Sequence, residues 1–361
     1  MTVRPRRPRP LLAAAAALAL AAGLAVSCGD SGSEGTGSGK RLKMGIAVAN
    51  YSLNFARAMY EGATEAAAHA GNVDFKVVGP PNTDGPAEQK LFQSLTVTHP
   101  DGIVLENLDP PIFTRPAAQA VDKGIPIVAL DTAPTDGSKV TFYVGNDNYE
   151  LGGLLAEQTV ERLGADAKGT VVIGVPNPGT PVLDSRAAGI KDTLGRLAPG
   201  IKVVGPFQTY SDPAQNYGAW QSQVNANPGA LAFLGVGDAD SYNLARLKEQ
   251  RKGGYLTAGF DVDPKTLQAV KRGTNFVAID PEHFLKGYLA TAILIKSVRE
   301  SDGRLPDGWF KTPGFVIDAG NIDEIVQREK SPKSAHAWYK PQLDRLLADT
   351  AASLRPLKEA R

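Results

Sequence analysis

The stretch from Asp101 to Pro134, "DGIVLENLDPPIFTRPAAQAVDKGIPIVALDTAP", holds two short apolar runs with a helical pattern between them. Residues 102–105 and 125–130 form the apolar runs, and residues 112–123 carry apolar side chains at helical spacing. A strand covered on only one face alternates polar and apolar residues, so a continuous apolar run indicates a strand covered on both faces. The stretch therefore predicts a β–α–β unit of a parallel sheet.

The same alternation repeats along the chain in two series. Strands are predicted at 42–49, 75–78, 102–105 and 125–130 in the first series, and at 140–144, 170–175, 201–207, 231–234, 255–260, 276–279 and 315–317 in the second. Helices are predicted at 54–70, 86–98, 112–123, 149–163, 182–197, 213–225, 242–250, 264–271 and 282–300. Two such series predict an α/β protein with two similar lobes, each a parallel sheet with helices on both faces.

The N-terminus has the pattern of an export signal. Four arginines precede an apolar segment, 11–26, which is shorter than the ~20 residues of a membrane span. Residues 1–27 are therefore interpreted as a signal peptide. The segment ends at Cys28 and resembles the lipobox of bacterial lipoproteins, which makes Cys28 the expected lipid anchor and residues 28–40, rich in glycine and serine, a flexible linker. The alternative is a plain signal peptide with an incidental cysteine.

Composition excludes several classes of protein. Cys28 is the one cysteine among 361 residues, so neither an intramolecular disulfide nor a cysteine metal cluster can form. The formal net charge of +1 gives no sign of nucleic-acid binding. The roughly 320 residues after the linker exceed one typical domain and favour two.

Polar and aromatic residues collect just after the predicted strands, where open α/β sheets bind ligands. The candidate ligand-binding residues are Asn50, Tyr51, Asn54, Phe55, Asn107, Asp131, Thr132, Arg186, Tyr210, Asp238, Asp240, Phe260, Asp261 and Asp280. Amides and carboxylates pair with vicinal hydroxyls, aromatic rings cover the C–H face of a sugar, and an arginine adds donors in a fixed fork. This chemistry predicts a site for a neutral sugar or related polyol.

Some of these aspartates have a simpler explanation. An aspartate before a proline is an ordinary helix start, with the aspartate as N-cap. That interpretation is favoured for Asp212 and Asp263, and for Asp280 the cap and the ligand role stay open. Asp131 precedes Thr-Ala-Pro in a loop instead of a helix start, which favours a ligand role.

Signs of catalysis and of cofactors are weak. The sequence has no phosphate loop and no nucleophile elbow, and its four histidines, His69, His99, His283 and His336, show no helical metal spacing. We therefore expect no cofactor, no metal site and no enzyme activity. A hydrolase that uses the carboxylates of Asp131 and Asp261 is the less favoured alternative.

Five segments together resemble a known family. They are "GIAVANYSLNFARAMYEGA", "DGIVLENLDP", "GIPIVALDTAP", "YVGNDNYELGG" and "TAGFDVDP". In this order they are similar to the sugar-binding proteins of bacterial ABC importers, the ribose-binding type above all. The resemblance covers residues from about 41 to about 323 of the chain.

The resemblance implies a type I periplasmic-binding-protein fold, in which two Rossmann-like lobes are joined by a three-crossing hinge near Gly145–Asn146, Asp280 and Lys311. It divides the chain into an N-terminal lobe of 41–145 plus 281–311, a C-terminal lobe of 146–280 plus 312–330, and a tail of 331–361. It implies ligand contacts at Phe55, Asn107, Asp131, Arg186, Tyr210, Asp238, Phe260 and Asp261. Thr132 stands where ribose binders carry arginine, so a ligand other than ribose is expected.

The function implied is that of a monomeric, extracytoplasmic lipoprotein that captures a sugar between its lobes. It would deliver the sugar to the permease of an ABC importer in the membrane and would not bind nucleic acid. The alternative is a sensor of the same fold that signals to a membrane receptor kinase.

Overall fold

The structure is a computed structural model that describes residues 40–360. The predicted signal peptide, the anchor Cys28 and all of the linker except Lys40 lie outside the described residues. Among the described helices, none combines the length and the apolar character that a membrane crossing requires.

Thirteen strands and eleven α-helices alternate along the described chain. The strands are β1 Leu42–Ala47, β2 Val73–Val78, β3 Gly102–Glu106, β4 Ile127–Leu130, β5 Phe142–Asn146, β6 Gly169–Val175, β7 Ile201–Gln208, β8 Ala232–Gly235, β9 Leu256–Phe260, β10 Val277–Asp280, β11 Gly308–Thr312, β12 Phe315–Ile317 and β13 Leu354–Arg355. The helices are α1 Asn54–Ala70, α2 Gly85–Thr98, α3 Pro110–Asp122, α4 Asn148–Leu163, α5 Pro181–Leu197, α6 Pro213–Ala226, α7 Asp238–Arg251, α8 Pro264–Lys271, α9 His283–Glu300, α10 Ile322–Arg328 and α11 Pro332–Ala348. Two short 3₁₀ turns, Ala351–Ser353 and Leu357–Glu359, flank β13.

These strands form two sheets, one in each lobe. The N-terminal sheet has the order β13-β11-β5-β4-β3-β1-β2, and the C-terminal sheet has the order β12-β10-β9-β8-β6-β7. Every pairing is parallel except those of the edge strands β13 and β12. Strands β3, β4, β5, β8 and β10 are buried along their whole length, as continuous apolar strands covered by helices on both faces should be. The predicted α/β fold with two lobes is confirmed.

The chain passes between the lobes at three places before the tail. It leaves the N-terminal lobe between β5 and α4, returns between β10 and α9, and leaves again between β11 and β12. These three crossings coincide with those implied by the family resemblance.

The tail makes a further passage that the sequence did not predict. Helix α11 packs against α1 and α9 of the N-terminal lobe, and β13 pairs with β11 at the edge of the same sheet. Tyr339 of α11 stacks on Phe284 of α9, with ring centroids 5.8 Å apart and planes inclined by 6°. The tail therefore completes the packing of the N-terminal lobe.

Two glycine-based helix pairs hold the cleft-facing helices in place. Helices α1 and α9 pack together, as do α4 and α5. A Cβ atom at Gly287 would overlap the carbonyl oxygen of Met59, and one at Gly152 would overlap that of Arg186. The absence of a side chain at these positions lets the backbones touch, which fixes α9 and α5 relative to the cleft.

We expect Gly287→Ala to destabilise the protein by about 1–3 kcal/mol, because the added methyl group forces α1 and α9 apart. Urea unfolding followed by circular dichroism measures the change. Gly195→Ala is the matched control, since Gly195 is also helical but has open space around its Cβ position. If the two variants were equally stable, close backbone packing at Gly287 would be refuted.

Candidate ligand-binding site

A narrow cavity lies between the lobes at the inner end of the cleft. Its walls come from both lobes and comprise Leu53, Phe55, Leu108, Asp131 and His283 on one side and Pro176, Val182, Leu183, Arg186, Ser211, Gly237, Asp238, Ala239 and Asp261 on the other. The cavity measures about 40 Å³, which is room for about three water molecules. A wider groove, to which Asn50 and Tyr210 contribute, continues from it towards solvent.

The two lobes touch directly at the cavity. The backbone N–H of Asn54, the first residue of α1, donates a hydrogen bond to Asp238 Oδ2 of the opposite lobe at 3.1 Å. The other carboxylate oxygen of Asp238 is buried without a partner among the described residues. Burial raises the pKa of Asp238 well above its usual value, and the charges of Asp261 and Asp263 add to the effect. The unpartnered Oδ1 of Asp238 is available for a hydrogen bond with a ligand.

Asp131 and Asp261 occupy equivalent positions in the two lobes. Each follows a strand, β4 or β9, and each has a left-handed backbone, with φ of 64° and 72°. Each backbone N–H donates to a carbonyl of the neighbouring strand at 2.9 Å. Left-handed backbone is uncommon for residues other than glycine and concentrates at functional sites. This shared turn directs both carboxylates into the one cavity.

A buried lysine neutralises Asp131. Lys286 Nζ forms an ion pair with Asp131 Oδ1 and donates a hydrogen bond to Asn146 Oδ1 at 2.8 Å, and the Lys286 side chain is fully buried. Burial alone would raise the pKa of Asp131, but the positive charges of Lys286, His283 and Arg186 lower it to about 2. Asp131 is therefore an ionised acceptor at neutral pH.

His283 stands between the two aspartates. Its Nε2 lies 2.8 Å from Asp261 Oδ1, and its Nδ1 lies 3.9 Å from Asp131 Oδ1. Nδ1 has no hydrogen-bond partner among the described residues. The Phe55 ring packs beside the imidazole, with centroids 5.9 Å apart. The imidazole is thus held with one nitrogen available to the cavity.

Arg186 forms the opposite wall. Its Nε donates to Asn148 Oδ1 at 3.0 Å and its Nη1 donates to the carbonyl of Val236 at 2.9 Å. The guanidinium lies over the Phe260 ring, 4.4 Å from its centroid. Phe260 is itself fully buried, so it supports Arg186 from behind instead of contacting a ligand. The Nη2 group of Arg186 remains available to donate a hydrogen bond to a ligand.

Five of the residues predicted from the sequence are thus brought together in the cavity wall: Phe55, Asp131, Arg186, Asp238 and Asp261. Asn54 reaches it through its backbone, while its side chain accepts a hydrogen bond from Arg57 at 2.5 Å. Asn50 and Tyr210 line the outer groove.

The structure places the other predicted residues outside the cavity wall. Tyr51 is 45% exposed and stacks on Tyr60. Asn107 and Thr132 are buried within the N-terminal lobe. Asp240 accepts hydrogen bonds from Asn216, Trp220 and the backbone of Gly237. These bonds hold its carboxylate inside the C-terminal lobe. Asp280 is paired with Arg328 at the second crossing.

Two titratable residues of the cavity region, His283 in the wall and Lys286 beside Asp131, were not predicted from the sequence. They lie on the first turn of α9, directly after the crossing that follows β10. The crossing returns the chain to the N-terminal lobe, where the first turn of α9 faces the end of β4. The segment "DPEHFLK" after a predicted strand is the one sign that could have indicated them.

A pair of buried glutamates lies beneath the outer groove. The side chain of Glu106, at the end of β3, is fully buried and accepts a hydrogen bond from the backbone N–H of Ala49 at 2.8 Å. Burial raises the pKa of Glu106 to about 8, with the charge of Asp131 adding to it. Burial, with Glu106 and Asp109, raises the pKa of Glu88 to about 10. Both carboxyls are held protonated in the folded state at neutral pH.

We expect Glu106→Gln to reduce the loss of stability with rising pH. A folded-state pKa above the unfolded value stabilises the protein at low pH, and that stabilisation is lost as pH rises towards about 8. The loss is up to about 1.4 kcal/mol per pH unit for such a carboxyl. Urea unfolding at about pH 5.5 and about pH 7.5 measures it. Glu157→Gln, on an exposed position of α4, should keep the wild-type slope, and an unchanged slope in Glu106→Gln would contradict the prediction.

The fold and this cleft define a two-lobed binding protein that encloses a small ligand between its lobes. Residues 44–301 match the family model of the periplasmic binding protein domain, and the chain belongs to that family. The family model describes a periplasmic binding protein domain, so the prediction that the chain is a binding protein of this family is confirmed.

Two curated relatives are sugar-binding proteins. The xylose/arabinose-binding protein XylF of Sulfolobus acidocaldarius is 27% identical over 67% of this chain, and the match spans 62% of that relative's length. The D-allose-binding periplasmic protein of Escherichia coli is 26% identical over 56% of this chain and 68% of its own length.

A solved structure has the same architecture. It is the solute-binding protein of an ABC transporter from Burkholderia graminis, in complex with D-arabinose. It is 26% identical, with a TM-score of 0.72, over 78% of this chain and 97% of that chain. The chain is thus similar to sugar-binding proteins of ABC transporters in both sequence and fold.

Proposed function

We propose that this protein is an extracytoplasmic lipoprotein, anchored through Cys28, that captures a neutral pentose or hexose in the cleft and delivers it to an ABC importer. The observation that carries the proposal is the paired placement of Asp131 and Asp261. The two aspartates follow strands of different lobes, and both have a left-handed backbone that points the carboxylate into the same cavity. Arg186 forms the side wall of that cavity.

The cavity groups match the hydroxyls of a sugar. An ionised Asp131 accepts hydrogen bonds, Asp238 offers its unpartnered Oδ1, and Arg186 adds donors of fixed direction. Phe55 offers an aromatic surface to the C–H face of the ring. Because acceptors and donors are both present and the charge of Asp131 is already compensated by Lys286, a neutral polyhydroxylated ligand suits the site better than an ion. The sugars bound by the named relatives agree with this chemistry.

Ligand entry requires the lobes to separate. A cavity of about 40 Å³ is smaller than a sugar ring, so binding requires rotation about the crossings. The Asn54–Asp238 hydrogen bond would break on opening and could form again on closing. Closure then signals occupancy to whichever membrane protein contacts both lobes.

Thermal shift with D-xylose, D-arabinose, D-allose, D-ribose and myo-inositol tests the proposal. A bound sugar in large excess should raise the melting temperature. We expect Asp261→Asn to weaken that sugar's affinity by about 10- to 100-fold, since one hydrogen bond to a charged group contributes about 1.5–3 kcal/mol. Asp166→Asn, at an exposed position outside the cleft, should bind normally. No shift with any of these sugars would count against the proposal, and full affinity in Asp261→Asn would refute the site.

The anchor and the partner need separate tests. Mass spectrometry of membrane-extracted protein should find a lipid on Cys28 at the new N-terminus, and an unmodified or uncleaved Cys28 would refute the anchor. Crosslinking in native membranes with sugar present should capture a permease. Capture of a receptor kinase instead would support the sensor alternative.

A further inference from the structure

Three potential metal ligands meet on the outer side of the N-terminal lobe. Glu65 and His69 lie one turn apart near the end of α1, and His336 lies on α11 of the tail. One ligand atom from each of the three lies within 4.8 Å of the other two. We propose that Glu65, His69 and His336 bind a divalent transition-metal ion of the Zn²⁺ type, which joins the tail helix to the N-terminal lobe.

The donor set suits such an ion. Imidazole nitrogens and a carboxylate oxygen are ligands of Zn²⁺, and three protein ligands leave one tetrahedral position to water. Ligand atoms around tetrahedral Zn²⁺ are about 3.3 Å apart, given metal–ligand bonds of about 2.0–2.1 Å. Small side-chain rotations would therefore bring the three atoms from their present spacing into coordination.

The backbone already holds the three side chains on facing surfaces. The i, i+4 spacing places Glu65 and His69 on one face of α1, with His69 Nδ1 3.9 Å from Glu65 Oε1. The rings of His69 and His336 have centroids 4.2 Å apart and planes inclined by 36°. Tyr288 of α9 stacks on His336 at 5.3 Å, which restrains that ring from the side.

The site is open to an incoming ion and carries a favourable charge. The His69 side chain is 46% exposed, so an ion can reach it without unfolding. Glu65 supplies a negative charge. On the facing helix, Lys340 lies one turn from His336 but is paired with Asp344 at 2.7 Å, so it opposes metal binding little.

The site is remote from the sugar cleft. Glu65 and His69 lie 11 and 15 residues along α1 from Asn54 at the cavity, which is about 16 and 22 Å at the rise of an α-helix. Metal binding and sugar binding can therefore succeed or fail independently.

Calorimetric titration of the mature full-length chain, purified without a polyhistidine tag, with ZnCl₂ tests the proposal. We expect one ion per chain at micromolar affinity, a higher melting temperature with Zn²⁺, and a loss of at least about tenfold in affinity for His69→Gln and His336→Gln. His99→Gln, a histidine of the same lobe outside the cluster, should bind Zn²⁺ as the wild type does. No micromolar binding, or wild-type affinity in His336→Gln, would show that the two rings only stack and would overturn the proposal.

Co²⁺ provides a readout that does not depend on stability. Tetrahedral coordination by the two histidines and Glu65 should give the intense visible absorption of a four-coordinate Co²⁺ site, and Zn²⁺ should displace it. The absorption should be absent in His336→Gln even when circular dichroism shows that this variant is folded. A wild-type Co²⁺ spectrum in His336→Gln would assign the metal to other ligands and overturn the proposal.

Discussion

Lys286→Met should destabilise the protein by about 3–5 kcal/mol and abolish sugar binding. The change removes the cation that compensates Asp131 while leaving the Asp131 carboxylate buried in the cavity wall. Asn146 at the first crossing also loses a hydrogen-bond donor. Urea unfolding gives the loss of stability, and thermal shift with the cognate sugar gives the loss of binding.

Two further variants distinguish loss of the ion pair from loss of side-chain packing. The double variant Asp131→Asn/Lys286→Met removes both charges and should recover much of the lost stability, because no uncompensated charge stays buried. Lys296→Met, at an exposed position of the same helix, should change stability little. If Lys286→Met lowered the stability as little as Lys296→Met, the ion pair with Lys286 would not be what keeps Asp131 ionised.

Arg328→Met should also destabilise the protein by about 3–5 kcal/mol, since it leaves Asp280 buried without its cation. Arg328 Nη2 donates to Asp280 Oδ2 at 2.5 Å, directly before the second crossing. The guanidinium also lies over the rings of Trp338 and Tyr339 of α11, 4.9 and 5.1 Å from their centroids. Arg328 thus links the crossing, α10 and the tail.

Urea unfolding measures the effect of Arg328→Met, and limited proteolysis after residue 330 reports whether the tail detaches. Arg345→Met, at an exposed position of α11, is the matched control and should unfold like the wild type. If Arg328→Met were as stable as the wild type and its tail stayed protected from proteolysis, Arg328 would not link the crossing to the tail.

The sequence predicted local structure well because the relevant interactions are short in range. Asp212 and Asp263 are N-caps as predicted, and their side chains accept hydrogen bonds from backbone N–H groups two or three residues on. Asp131 and Asp261 were identified as ligand candidates because each directly follows an apolar strand. Parallel sheets bring such strand ends to one edge, so position in the chain was enough to place them.

The direction in which a side chain points could not be predicted from the sequence, although it decides what the residue contacts. Asp240 and Asp238 are two residues apart at the start of α7, yet Asp240 points into its own lobe and Asp238 points into the cavity. Tyr51 and Phe55 both follow β1, but Tyr51 is exposed and Phe55 faces the cavity. Helical rotation and loop path set these directions, and a residue's type does not report them.

The α/β alternation, the two lobes, the helix caps and the strand-end aspartates could be predicted, since each depends on residues close together in the chain. Three contacts could not be predicted in this way: Lys286 pairs with Asp131, Arg328 joins a crossing to the tail, and His336 packs against His69. These pairs are separated by 155, 48 and 267 positions respectively, counting Asp280 as the partner of Arg328. Contacts over such distances arise only when packed helices and sheets bring remote segments together, and no local pattern records them.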